Sequence, residues 1–312
     1  MTGGGPETSG ARRDGPGAPP RRPARPLPAG AIDGHAHIYD RFDQYPLAGN
    51  RKFHPEPARR EDWLGLLARA GASRGVQVHA SPYGFDNSIT ADFLRSLPGR
   101  LCGVAVIHPG IAEDELRALD AAGFRAARIM AQFASGATLD MLEGIARRIA
   151  PYGWHIEINI GRSQDWVDLE PRLRACPVPL VFDHLGRVRG GEGLDAPGFA
   201  VVRRLLAETD RCWTKISSWY RLSDSSPPAC EDMKPLVRAL LRERPDRCVW
   251  GSNWPHSGLP AGRLAPDDVD LIDQLDGWLP GGEALRHALY VGNAERLYGF
   301  APLPPPSPPS SP

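Results

Sequence analysis

Between residues 30 and 300, short apolar runs alternate with longer stretches whose apolar positions recur at a helical spacing. The short runs are Ala31–His37, Gly75–His79, Leu101–His108, Phe124–Met130, Trp154–Ile160, Pro179–His184, Cys212–Ser217 and Cys248–Ser252. Several are near-continuous in apolar or β-branched side chains, as parallel strands covered on both faces require. The longer stretches are Glu61–Ala70, Ile89–Leu97, Ala112–Ala122, Leu139–Ala150, Trp166–Ala175, Pro197–Glu208, Cys230–Arg242 and Val269–Leu279. Gly71, Gly123 and Gly153 sit just past three of them, where a left-handed residue closes a helix. Eight strands each followed by a helix, with no glycine-rich turn after the first, predict an α/β fold. Its form is a closed (β/α)8 TIM barrel rather than an open nucleotide-binding sheet. No G-x-G-x-x-G or G-K-[ST] phosphate loop occurs.

Composition bounds the picture without changing it. The 312 residues suit one barrel of roughly 250 residues plus tails. Residues 1–29 are rich in Gly, Pro and Arg, and residues 301–312 in Pro and Ser. Neither segment buries enough apolar surface to offset its ordering entropy, so both are expected to be disordered tails flanking a 30–300 barrel. Lys+Arg and Asp+Glu each number 37, so no global field attracts nucleic acid or an anionic membrane, and recognition of an anion must be local. No apolar run reaches the ~18 residues of a transmembrane helix. Arg12 and Arg13 have no apolar stretch after them, as a secretory signal would. Five scattered cysteines without a C-x-x-C pair suit reduced thiols in a cytoplasmic protein.

In such a barrel the chemistry gathers at the C-terminal ends of the strands. The first strand ends in His35-Ala36-His37, preceded by Asp33; residues two apart face the same side, so both imidazoles can point into the mouth. The second ends at His79-Ala80-Ser81. The fourth carries Arg125 and Arg128, the fifth Glu157 and Asn159, and the sixth ends Asp183-His184-Leu185-Gly186-Arg187. The seventh contributes Lys215 and Ser217, with Tyr220 and Arg221 beyond; the eighth ends Gly251-Ser252-Asn253-Trp254-Pro255-His256. His35, His37 and His184 are the candidate catalytic imidazoles, with His79 and His256 as supporting candidates. His54, His108, His155 and His287 are read as structural. Arg128, Arg187 and Arg221 all lie at or just beyond strand ends, which suggests one shared anionic ligand.

Residues 30–300 resemble the amidohydrolase (metal-dependent hydrolase) superfamily, and within it the branch of 2-pyrone-4,6-dicarboxylate lactonase. The resemblance rests on the ordered set Ile32–His37, Val76–Ser81 with Asp86-Asn87, Gly123–Arg128, Val181–Arg187, Lys215–Ser217 with Tyr220–Leu222, Trp250–His256 and Asn293–Phe300. It implies a hydrolase opening a lactone or similar cyclic ester that carries carboxylates. The imidazoles of His35, His37 and His184 would surround the reacting carbonyl, while Ser81, Arg128, Arg187 and Arg221 hold the anionic groups. Imidazole and guanidinium donors suit the oxyanion that forms when water attacks an ester.

Departures from the family pattern sharpen the expectation. The family's general base after the eighth strand is an aspartate, and here it is Asn253, whose carboxamide cannot accept a proton at physiological pH. Its loss also removes a negative charge that would help hold a divalent ion. Three histidines could still bind zinc, but the reading favours no cofactor and no bound metal. Phe53 follows Arg51-Lys52 where the family has a tyrosine, and Met130-Ala131-Gln132-Phe133-Ala134 lacks the family's second arginine. A substrate less anionic than a dicarboxylated pyrone is therefore expected. His184 or Glu157 could replace the lost base. Two other readings stand beside the lactonase: a non-catalytic carboxylate-binding barrel, and a metal-dependent decarboxylase or C–C hydrolase.

Overall fold

The computed structural model describes residues 21–132, 135–225, 229–259 and 265–303. Eight strands are hydrogen-bonded in sequence order, each parallel to the next. They are β1 (Ile32–Ala36), β2 (Arg74–Val78), β3 (Leu101–Ala105), β4 (Phe124–Met130), β5 (His155–Asn159), β6 (Leu180–Phe182), β7 (Cys212–Ile216) and β8 (Cys248–Trp250). Around them lie α1 (Arg60–Ala70), α2 (Ser88–Ser96), α3 (Glu113–Ala122), α4 (Leu142–Ile149), α5 (Asp165–Ala175) and α6 (Pro197–Glu208). After these come α7 (Trp219–Leu222), α8 (Lys234–Glu243), α9 (Asp268–Trp278), α10 (Glu283–His287) and α11 (Asn293–Tyr298). The architecture is the expected (β/α)8 barrel. The short helices α7, α10 and α11 carry too few turns for a periodicity to reveal them.

Local chemistry sets the helix ends. Glu61 and Asp62 open α1 and Glu113, Asp114 and Glu115 open α3, placing negative charge where the helix dipole is positive. Gly71 and Gly123 close these helices with φ of 87° and 105°, as the sequence predicts. Asp267 caps α9, its carboxylate accepting from Val269 N–H at 2.8 Å.

The ring closes through backbone contacts between β8 and β1. His37 N–H donates to Trp254 O and Asn253 N–H to His35 O, both at 2.8 Å. Glycine permits this approach: a Cβ on Gly34 would stand 2.5 Å from Trp250 O, and one on Gly251 2.6 Å from the Cβ of His35. Asp33, first flagged as a companion of the histidines, serves this seam. It accepts from Ser252 N–H, Ser252 Oγ, Trp63 Nε1 and His35 N–H at 2.6–3.1 Å.

The lower barrel is filled by Ile32, Val76, Cys102, Val104, Ala126, Val181, Trp213 and Val249, and α11 plugs it from beneath with Ala294 and Tyr298. Arg74, at the start of β2, ties this plug down by donating to Gly30 O, Ala301 O and Glu295. The expected N-terminal tail begins to pack earlier than the sequence suggests. Leu27 is buried, its N–H donates to Ala70 O at 2.9 Å, and Arg21 pairs with Asp267 and Asp270. One leucine and a few charges suffice to anchor residues 21–29; residues 1–20 and 304–312 lie outside the described residues. Among the described residues, no helix is long and apolar enough to cross a membrane.

Candidate active site

Three imidazoles meet where β1 and β6 end. His35 Nε2 lies 3.2 Å from His37 Nε2, and the His35 ring centroid is 4.9 Å from that of His37 and 4.7 Å from that of His184. The expected convergence of the His-x-His pair with the histidine of the sixth strand is therefore realised in space. Their tautomers follow from their other bonds. His37 Nδ1 donates to Val78 O at 2.8 Å, leaving the Nε2 lone pair free to accept. Lys215 Nζ stands 3.0 Å from His35 Nδ1 as a donor, so the proton of His35 sits on Nε2. His184 Nδ1 lies 2.8 Å from Ser217 Oγ.

All three rings are uncharged near neutral pH. Burial is the largest cause, and the positive charges of Lys215, Arg128, Arg187 and Arg221 reinforce it; His37 is brought down to about 3. His79 behaves likewise, brought down to about 4 by burial, with Nδ1 3.0 Å from Thr90 Oγ1.

Directly below the histidines runs a layer of buried charge. Lys215 Nζ donates to Glu157 Oε2 at 2.5 Å and lies 3.6 Å from Asp183 Oδ1. Glu157 also accepts from the Tyr298 hydroxyl at 2.7 Å and lies 3.6 Å from His155 Nε2. Asp183 Oδ2 accepts from Arg128 Nη2 at 3.0 Å. Burial opposes ionisation of Glu157, but the ammonium of Lys215 and the neighbouring His155 together outweigh it and hold the carboxyl below its ordinary range. Burial pushes Asp183 up, against the pull of Lys215 and Arg128. Glu157 is thus a saturated counter-ion within the barrel, and its suggested role as a substitute base does not survive. Sequence alone offered Lys215 as a strand-end residue and no partner for it.

The same layer tests the site for a metal. One ligand atom each from His35, Asp183 and His184 lie within 4.8 Å of one another, a set able to hold an ion. However, cations already stand against two of its three residues, with Lys215 Nζ 3.0 Å from His35 Nδ1 and Arg128 Nη2 3.0 Å from Asp183 Oδ2, although Asp183 Oδ1 has no hydrogen-bond partner among the described residues. A dication there would meet two buried cations and an imidazole whose Nε2 carries a proton. The arrangement does not fit it.

The arginines ring His184, and all three depress its basicity. Among the described residues, Arg128 and Arg187 each leave a buried Nε–H without a protein acceptor. Burial and the neighbouring charge of Arg221 also lower the pKa of Arg187. Arg221 is more occupied: Nη1 donates to Gly258 O at 3.2 Å, Nη2 to Ser257 O, and Nε lies 3.4 Å from the Tyr220 oxygen. Ser81 starts the turn after β2, buried at 7% exposure, and its carbonyl accepts from Ser135 Oγ. Gln132 donates to Asn159 Oδ1 at 3.1 Å, while Phe133 and Ala134 lie outside the described residues.

Asn253 holds a left-handed backbone, φ 61°, and its Nδ2 donates to the Tyr220 hydroxyl at 3.0 Å. Of the eight non-glycine residues described with positive φ, six lie after β6, β7 and β8: His184, Leu185, Arg187, Ser218, Asn253 and His256. Such conformations cost about 1 kcal/mol or more each and persist where surrounding contacts impose them. They aim His184 and Arg187 from the loop after β6 and Asn253 from the loop after β8. The sequence offers Tyr220 without a role and His256 as a supporting candidate, and gives no sign of Asp268. The structure joins all three, with Tyr220 Oη 2.7 Å from His256 Nδ1 and His256 Nε2 3.2 Å from Asp268 Oδ1.

A (β/α)8 barrel with clustered histidines and arginines at its mouth is the architecture of hydrolytic barrel enzymes. The amidohydrolase family model matches residues 32–300, and the chain belongs to that family. It is 34% identical over 290 residues to a 2-pyrone-4,6-dicarboxylate hydrolase of Comamonas testosteroni, covering 90% of this chain and 94% of the relative. It is 35% identical over 281 residues to a 4-sulfomuconolactone hydrolase of Rhizobium radiobacter, covering 88% and 91%. An apo crystal structure from Agrobacterium tumefaciens superposes with a TM-score of 0.82 at 29% identity, over 90% of this chain and all of that one. The expected placement in the lactonase-like branch therefore holds.

Proposed function

We propose that this protein is a hydrolase that opens a lactone carrying carboxylate. The observation that carries this reading is the pair of buried guanidinium Nε–H groups, on Arg128 and Arg187, that lack an acceptor beside three neutral imidazoles. Buried donors of this kind call for an anionic ligand. The two curated relatives described above are both named as hydrolases, one of a pyrone dicarboxylate and one of a sulfonated lactone.

In this reading Arg187 and Arg128, with Arg221 and Ser81, hold the substrate's anionic group. Lys215 keeps the proton of His35 on Nε2, where it meets the His37 Nε2 lone pair at 3.2 Å; with substrate bound, this N–H turns to the lactone carbonyl oxygen and, as water adds, to the oxyanion. With the Ser217 hydroxyl donating to Nδ1, His184 turns an Nε2–H toward the same oxygen. Asn253 orients but cannot take a proton. This reading uses no divalent ion, because Lys215 and Arg128 already stand against His35 and Asp183, two of the three residues that would bind one. Phe53 and Gln132 favour a substrate with fewer anionic groups than a dicarboxylated pyrone. All five cysteines are buried thiols, which suits the reducing cytoplasm.

The test is a panel of lactones bearing one, two or no carboxylates, followed by ring-opening absorbance, with metal content measured on the same preparation. Turnover of carboxylated members, strongest for a monocarboxylate, is expected, with well under one metal ion per chain and no loss on chelation. Tight binding without turnover would make this a carboxylate-binding barrel. About one zinc per chain, with activity lost on chelation, would overturn the metal-free chemistry.

A further inference from the structure

We propose that Tyr220, linked through His256 to Asp268, is the base that activates water in place of the missing aspartate. The inference rests on the lactone-opening reading and names the group that reading lacks.

The geometry around one oxygen carries it. The Tyr220 hydroxyl is met by His256 Nδ1 at 2.7 Å, Asn253 Nδ2 at 3.0 Å and Arg221 Nε at 3.4 Å. Among the described residues every hydrogen-bond partner of this oxygen is a nitrogen, and two of the three can only donate. A phenol needs one acceptor for its proton, and His256 Nδ1 alone can be that acceptor. Transfer along this bond leaves a phenolate held by a carboxamide and a guanidinium. The resulting imidazolium turns its Nε2–H toward Asp268 Oδ1 at 3.2 Å, an ion pair rather than a well-aligned hydrogen bond. Tyr220, Asn253, His256 and Asp268 come from α7, the loop after β8 and the first turn of α9, and the first three are buried. The Asn253 backbone is bonded to His35 O at 2.8 Å, which ties the residue that donates to this oxygen to the strand end carrying the histidine pair.

The electrostatics agree with the geometry. Burial opposes ionisation of Tyr220, but the charges of His256 and Arg221 and the bond from Asn253 outweigh it and bring the phenol down to about 8. Burial likewise opposes protonation of His256, and Tyr220 and Asp268 outweigh it, carrying the imidazole up to about 9. Asn253 then has a positive role. An aspartate there would accept the phenol's proton and repel the phenolate, whereas a carboxamide donates to it.

The step balances without a further reagent. Phenolate takes a proton from water, whose oxygen forms a bond to the lactone carbonyl carbon, while the carbonyl pair moves onto an oxygen held by His35 and His184. Collapse of that intermediate re-forms the carbonyl and breaks the ring C–O bond. The departing oxygen takes the proton from Tyr220, and the net change is addition of one water.

The experiment combines titration with kinetics. The wild-type spectrum minus that of Tyr220→Phe should show a single phenolate absorbance appearing with a midpoint of about 8, against about 10 for an unperturbed tyrosine. His256→Gln should move that midpoint upward by about one unit or more. On a carboxylated lactone, Tyr220→Phe should lower kcat roughly 10²- to 10⁴-fold with KM changed only a few-fold. Should Tyr220→Phe fail to fold, His256→Gln must still lower kcat and shift the rising limb of the pH profile to higher pH. Full kcat in folded Tyr220→Phe overturns the relay and leaves the lactone reading intact. Absence of turnover in wild type overturns the lactone reading, and the titration then judges the relay: a midpoint near 8 supports it, one at 10 or above overturns it.

Discussion

Two clusters of buried charge sit one above the other in this barrel, and they differ in what is left over. The inner layer of Glu157, Lys215, Asp183 and Arg128 pairs its charges internally, with Tyr298 reaching up from the plug to complete Glu157. The rim holds Arg187, Arg221, Tyr220 and Asn253, where donors crowd one phenol oxygen and the Nε–H of Arg187 faces no acceptor. In the inner layer the ion pairs fix positions and tautomers, and of its four residues only Arg128 Nε and Asp183 Oδ1 lack a hydrogen-bond partner among the described residues. The rim keeps unspent donors, and those are what a ligand or a developing negative charge can use. Burial alone does not mark a reactive residue; an unmatched partner does.

The comparison breaks most visibly at Lys215. Lys215→Met strands two carboxylates in the barrel and should lower stability by about 3–5 kcal/mol in urea unfolding. A loss below about 1 kcal/mol would show that Glu157 and Asp183 take up protons instead, and the inner layer would not be the ion-paired unit described. At the rim, Arg187→Met should act on binding instead. Losing a charge-assisted contact of about 1.5–3 kcal/mol predicts a KM for a carboxylated lactone raised roughly 10- to 100-fold. Its urea midpoint should stay near wild type, since Nε gives up no protein partner; a large fall in stability would place Arg187 with the inner layer. The smallest effect is expected at the foot of the relay. Asp267→Ala removes the cap of α9 and should cost about 1 kcal/mol by denaturant unfolding. Because Asp268 follows directly, the phenolate midpoint of Tyr220 should also drift upward.

The sequence made much of this site readable, and it is clear where reading stopped. His35, His37, His184, Arg128 and Arg187 were recognisable because strand periodicity predicts which side chains share a face and a barrel gathers strand ends. Glu157 was recognised as costly to bury, yet its choice between base and counter-ion depended on Lys215, 58 positions away in the chain. Tyr220 and His256 stood in view at the ends of β7 and β8, but no spacing rule couples residues 36 apart. Asp268 gave no local signal beyond membership of an acidic helix start.

The order of hydrophobic and polar positions was sufficient for the barrel, its eight strands and the mouth at which its functional groups lie, because parallel strands and amphipathic helices are written in local periods of two and 3.6 residues. Which nitrogen of His35 carries the proton, which carboxylate is spent on Lys215, and what surrounds the oxygen of Tyr220 were settled only by tertiary structure. Those are questions of distance within a few ångströms between residues remote in the chain, and Coulomb and hydrogen-bond energies are set by that distance and not by sequence separation.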